Sequence, residues 1–158
     1  MIRFPRAVRL DTSDLRVYER VATPGELTVP GTFAFATTSP ANLAGKALQA
    51  FSHGWLGVSS QGHTTLVEVS EIDEDEFESA VRSLTTLFMD RYGAPDVLAA
   101  AAAAREEALY AAGLCEHKVH TLLSVKRQVD KSGIRESFRV ITPSRAVDHA
   151  KIWSIEPD

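Results

Sequence analysis

From Phe77 to Tyr92 the apolar residues fall at Phe77, Ala80, Val81, Leu84, Leu87, Phe88 and Tyr92. Only an α-helix turns such steps of three and four to one side. Asp73 stands just ahead with Glu76 three positions on, the spacing of a side-chain cap over the first free N–H groups. Gly93 and Pro95 end the run, and Asp96 to about Gly113 reads as a second helix, alanine-rich in its first half. Alanine favours the helix and lets another backbone approach closely. Two helices so near in sequence form an antiparallel hairpin, and their apolar stripes require a further layer to pack against.

The remaining segments supply that layer as short strands. Phe4, Val8 and Leu10 share one face of an N-terminal strand, Asp11 to Asp14 makes a turn, and Leu15 to Val21 alternates with period two. Pro24-Gly25 and Pro30-Gly31 bracket a loop, and Thr32 to Ala36 reads as a third strand. Ser39-Pro40 looks like a helix start, with Leu43, Ala47, Leu48 and Phe51 as its stripe and Gly54 as its end. Trp55 to Val58 and Thr64 to Val69 form a hairpin through Ser60-Gln61-Gly62. A last hairpin pairs Thr121–Val129 with Ile134–Ile141. It turns Leu123, Val125, Val129, Ile134, Phe138 and Val140 inward, and Ser124, Lys126, Gln128, Arg135, Ser137 and Arg139 outward.

This order predicts an α+β fold of two layers, a largely antiparallel β-sheet with three helices, one pair an αα-hairpin, on one face. Residues 1–142 form a single domain. Residues 143–158 form a C-terminal tail whose Ile152, Trp153 and Ile155 dock on the body or on a second subunit, which would make a homodimer. At 158 residues, a chain of this size buries roughly 70% of its unfolded surface. One cysteine makes no internal disulfide, the charged N-terminus leads into no apolar signal region, and no apolar run nears the ~18 residues of a membrane span. The expectation is a cytoplasmic protein without membrane contact.

Charge is sorted along the chain. Residues 64–116 carry a balance of −9 and residues 118–155 a balance of +5, within a net charge of −4. Acids at the start of the Asp73 helix sit where the helix dipole favours them. At the junction lie Cys115, His117 and His120, three metal-type ligands within six residues, to which His53, His63 or His149 would add a fourth. The spacing matches no standard zinc pattern, and a cysteine packed beside Leu114 at a helix end accounts for the same letters. A Cys–His nucleophile is opposed by Glu116 and by the lack of a Gly-rich turn. No phosphate loop, nucleophile elbow or other recognised motif implies a cofactor.

On the basic side, Lys126, Arg135 and Arg139 would join Arg16, Tyr18 and Arg20 if the terminal strands were neighbours, giving with Trp153 a partner-binding face. Such a face can hold phosphates and stack bases, but Tyr18 is its one good stacking residue, so nucleic acid ranks below a protein partner.

The opening Phe4–Asp11 with Ser13-Asp14, the Gly54–Val58 and Thr65–Val69 segments, Tyr92–Asp96 and Leu114–His117 resemble a family of small uncharacterised proteobacterial proteins, a domain of unknown function. The likeness runs to about Ile141. The resemblance implies no activity and no site residue; it implies genes placed near those for assembling molybdenum or iron–sulfur oxidoreductases. The function expected is therefore a non-catalytic accessory or interaction protein assisting assembly of a redox enzyme. The alternative is a metal-binding or enzymatic role for Cys115, His117 and His120.

Overall fold

A computed structural model of the chain describes residues 1–36, 39, 42–143 and 153–157, with residues 142–143 and 153–157 described by their backbone. Two antiparallel sheets organise it. The larger runs β1 (Ile2–Val8), β5 (Leu66–Ile72), β6 (Leu122–Asp130), β7 (Gly133–Pro143) and β8 (Trp153–Pro157) in that spatial order. The smaller runs β2 (Thr28–Val29), β3 (Trp55–Gly57) and β4 (His63–Thr64). Four helices, α1 (Asp14–Val17), α2 (Gly45–His53), α3 (Glu74–Arg91) and α4 (Val97–Gly113), complete the described elements together with a 3-10 turn at Thr32–Phe35. The fold is α+β, and the second sheet is its addition to the sequence expectation. Among the described residues no helix is long and apolar enough to cross a membrane.

The α3/α4 hairpin forms as its caps dictate. Asp73 accepts from the Glu76 N–H and Asp96 from the Ala99 N–H, both at 2.8 Å. Phe77, Val81, Leu84, Leu87 and Phe88 then pack with Ala100, Ala104, Ala108 and Ala111, and with Phe4, Val29, Leu56 and Ile72 of the sheets. A second cluster gathers Trp55, Val67, Val69, Leu123, Val125 and Cys115. In the β6/β7 ladder Leu123 faces Val140, Val125 faces Phe138 and Val129 faces Ile134, with Lys126 opposite Ser137 and Gln128 opposite Arg135. Leu123 and Val125 are buried and Ile134, Phe138 and Val140 half-buried, as the alternation predicts, whereas Val129, near the hairpin tip beyond the reach of the core, is exposed.

Three local expectations fail, each for a physical reason, and a fourth, the hairpin from Trp55 to Val69, forms with its second strand divided between the two sheets. Leu15–Val21 is not a strand, because Asp14 and Tyr18, four apart, both turn inward across one helical turn. Asp14 accepts from Thr64 Oγ1 at 3.1 Å and Thr65 Oγ1 at 2.8 Å, while Tyr18 Oη and Thr65 Oγ1 lie 2.8 Å apart. Thr32–Ala36 is a 3-10 turn rather than a strand. Gly31, at φ 79°, turns the chain so that Phe33 packs on Phe88 and Phe35 on Phe51.

The helix expected from Ser39 begins instead at Gly45, whose φ of 58° a helix running through it cannot contain. Leu48 is exposed as a result, and Ala50 and Phe51 take the buried side. The Thr64–Val69 strand is shared between the sheets, with Trp55 and Leu56 opposite Thr64 and His63, and Leu66 onward opposite β1. Residues 37, 38, 40, 41, 144–152 and 158 lie outside the described residues, and with them Pro40, His149 and Ile152.

Candidate functional site

The predicted metal cluster is not brought together. Cys115 is fully buried against Trp55, Val67 and Leu123, and burial pushes its thiol up to about 12. His117 is half-buried, its carbonyl accepting from Arg3 Nη1 at 2.6 Å. His120 points outward, with its side chain 80% exposed and Nδ1 3.3 Å from Glu68 Oε2. The chain leaves α4 for β6 through His120 at φ 75°, held by its N–H on Val69 O. Cys115 thus lies in the core while His120 lies at the surface. Of the proposed fourth ligands, His53 Nδ1 lies 3.4 Å from Val125 O and His63 packs against Tyr18 and Phe35. Among the described residues no group of three His, Cys, Asp or Glu side chains is arranged to hold a metal ion.

The basic face is half assembled. Lys126, Arg135 and Arg139 share the outer face of the β6/β7 hairpin, where Lys126, Gln128 and Arg135 line a shallow groove of ≈ 390 Å³. Arg135 is engaged with Asp130 at 2.6 Å. Arg16 and Arg20 are exposed but sit on and just after α1, which packs on α2 and joins no strand of the large sheet. Tyr18, the expected stacking residue, is buried at 2% exposure, and burial raises its hydroxyl to about 12. The reason is the helical turn that pulls it inward with Asp14. Trp153 lies in β8 opposite Pro143, described by its backbone.

What the fold does assemble is a buried charge network under α4. Arg127 has a fully buried side chain and stands opposite Glu136 on the inward face of the hairpin. Its Nη1 donates to the carbonyls of Phe51 at 3.0 Å and Gly54 at 2.8 Å, and Nη2 donates to that of Pro30. Its Nε donates to Thr32 Oγ1 at 2.9 Å and Glu136 Oε1 at 3.0 Å. Phe35 lies over the guanidinium with 5.8 Å between Cζ and ring centre. Each guanidinium nitrogen is engaged by internal acceptors, so the group clamps the end of α2, the Pro30 loop and the hairpin rather than presenting donors to a substrate.

α4 is tied to the same clamp. Tyr110 Oη donates to Glu136 Oε2 at 3.3 Å and its ring meets Phe138 edge-on. Burial, then the Glu136 charge, raises that hydroxyl to about 12. Burial raises the carboxyl of Glu107, one turn earlier, to about 7 against the opposing effect of the nearby Gly31 N–H. At the other side, Arg105 grips Glu78 of α3 through Nη1 and Nη2 at 2.9 and 2.7 Å. The helix is thereby fixed in rotation.

Its outward face exposes large apolar residues, with Arg105 and Glu106 among them. Leu98 is 83% exposed, Val97 60% and Leu109 56%. Leu98, Ala102, Arg105 and Leu109 follow one another at steps of four, three and four, the seam spacing of paired helices. The Arg105 guanidinium is drawn off that seam onto Glu78.

Residues 1–155 match the family described as "Family of unknown function (DUF6505)". The chain belongs to that family. The match runs past Ile141 and into the tail, to residue 155, further than the sequence likeness implied. No curated protein and no solved structure matches the chain.

In this DUF6505 chain the Arg127–Glu136 pair had a sequence signal that alternation alone does not weigh. Arg127 lies between inward Val125 and Val129, and Glu136 between inward Ile134 and Phe138, so two opposite charges occupy facing core positions. The carbonyl acceptors of Pro30, Phe51 and Gly54 had none, since any backbone can supply them.

Proposed function

We propose that the protein is a non-catalytic interaction protein that docks a helix of a protein partner on the outward face of α4. The observation that carries this is the Leu98–Ala102–Arg105–Leu109 seam, exposed and held in rotation by the Tyr110–Glu136 and Arg105–Glu78 anchors. A helix that exposes leucines on its second side covers them against another helix, and Ala102 beside Leu98 lets the backbones approach. Lys126 and Arg139 on the hairpin, and the acids of the first turn of α3, orient the approach of a charged partner.

The proposal places the protein in the cytoplasm, where a single buried thiol needs no partner. The first candidates for the docked helix are subunits of a redox enzyme under assembly, the class the sequence resemblance implies. A second copy of the chain is the other way to cover the seam.

The test pairs Leu98→Glu/Leu109→Glu with Lys126→Gln/Arg139→Gln. Each seam change is expected to weaken binding by about 1–2 kcal/mol, the scale of a buried apolar anchor. Quantitative affinity capture and light scattering after size-exclusion should show the complex, hetero or self, lost in the seam variant and kept in the hairpin variant. Complexes of equal yield in wild type and seam variant would sink the proposal, as would a monomeric wild type that captures nothing.

A further inference from the structure

A second concavity lies away from the α4 seam, between α2, the turn after α1, the β3–β4 turn and the end of α3. It is an open cleft of ≈ 320 Å³, at the lower end of the size range of small-molecule sites. Three cations converge on it from three separate segments: Arg20 after α1, Lys46 in the first turn of α2, and Arg91 at the end of α3. All three are exposed, and none makes an ion pair among the described residues. Glu19 is the one acid among the described lining residues. A local excess of positive charge thus stands on a chain whose net charge is −4.

Apolar Phe35, Ala47 and Ala50 and polar Gln61 and His63 complete the described lining together with Glu19. Phe35 forms part of the wall, braced edge-on against Phe51 at 5.4 Å and with the buried Arg127 at its back. Ala47 and Ala50 leave the α2 side open, where larger side chains would fill it. Gln61 sits at φ 60°, an uncommon backbone for a residue with a side chain, and its Oε1 accepts from Arg91 Nη1 at 2.7 Å. The strained turn therefore holds one of the three cations in place. His63 also lines the cleft, and its buried Nε2 has no hydrogen-bond partner.

We propose that this cleft binds a small organic anion, its phosphate or carboxylate held by Arg20, Lys46 and Arg91 and its apolar body laid against Phe35. Two or three convergent cations supply charge-assisted bonds to an oxyanion, and the aromatic wall selects an organic over an inorganic one. The proposal stands apart from the α4 seam, and the two are tested separately.

The experiment is an amide chemical-shift titration with phenyl phosphate, phenylacetate, inorganic phosphate and benzyl alcohol. At least one of the two organic anions should bind about tenfold more tightly than inorganic phosphate and than the uncharged alcohol, with shifts centred on Phe35, Gln61 and His63. The order of the two organic anions identifies the headgroup, and either order supports the site. Arg20→Gln/Lys46→Gln should lower that affinity by about tenfold or more, whereas Lys126→Gln/Arg139→Gln, an equal change in charge, should leave it unchanged. Arg91→Gln provides a second cleft variant, and Leu98→Glu/Leu109→Glu should bind as wild type. Three results overturn the proposal: no binding of either organic anion, equal binding of benzyl alcohol, or equal loss in cleft and hairpin variants.

Discussion

Replacing Glu107 with Gln probes the charge balance around Arg127. Glu107 Oε2 is buried without a partner, and burial, reinforced by the Glu136 charge, raises the carboxyl from 4.5 to about 7 against the opposing Gly31 N–H bond and Arg127 charge. The folded protein keeps a proton that the unfolded chain has already released. Stability from the neutral carboxyl is therefore complete below pH 4.5 and is lost as pH rises to about 7. A difference of about 2.5 units corresponds to about 3 kcal/mol. Gln keeps an acceptor for the Gly31 N–H and stays neutral, so the variant escapes that loss.

His63 acts in the opposite sense. Burial, with the Arg127 charge adding to it, lowers its pKa from 6.5 to about 4. The folded state refuses a proton the unfolded chain accepts, so stability is present above pH 6.5 and falls as pH drops towards 4. Between pH 4.5 and 6.5 the two slopes nearly cancel in the wild type. The wild-type pH curve is thus a poor witness; the difference between variant and wild type is the informative quantity. Urea unfolding, followed by fluorescence of the buried Trp55, measures it. The advantage of Glu107→Gln should grow from about 1 kcal/mol near pH 5 to about 3 kcal/mol near pH 8. An advantage that is constant, or shrinks as pH rises, would refute the reasoning.

Two further changes test the clamp and the junction. Arg127→Leu strands Glu136 and three buried carbonyls at once, and should cost about 3–5 kcal/mol in the same urea assay; a cost within the scatter of surface substitutions would show the network to be idle. Cys115, buried and with its thiol pushed up to about 12, should react with an aromatic disulfide reagent near neutral pH only after unfolding. Stoichiometric labelling of the native protein on the timescale of the unfolded control would contradict its place in the core.

The elements legible in the sequence are those whose signal is local and long. α3 repeats its apolar step through five turns, and β6/β7 alternate long enough to set their own register. The short segments around α1, Gly31 and Gly45 are not legible locally, because their conformation is decided from a distance or by a single residue. Asp14 and Tyr18 become a helical turn through Thr64 and Thr65, some fifty residues away, and Gly31 and Gly45 redirect the chain at single positions. The junction at Cys115–His120 looked dense because neighbours in sequence were counted as neighbours in space. One positive φ separates them.

The sorted charge of the chain changes meaning once folded. Parts of the acidic block are neutralised by arginines: Arg6 of β1 takes Glu76 at 2.9 Å, and Arg105 takes Glu78. The basic block loses Arg127 to the interior and Arg135 to Asp130. The cations that converge on a concavity come from elsewhere. Arg20 and Lys46 precede the acidic block, and Arg91 lies inside it, in a stretch that linear counting scores as strongly negative. Each is unremarkable alone, and no spacing rule connects them, because the end of α3, the turn after α1 and the first turn of α2 meet through tertiary contacts: α1 on α2, Arg91 on Gln61, Phe33 on Phe88 and Tyr92, and Phe35 on Phe51. An alternating pattern would have put those two phenylalanines on one face of a strand. The 3-10 turn after Gly31 sends Phe33 to α3 and Phe35 to α2, and Phe35 so placed forms part of the wall of the cleft.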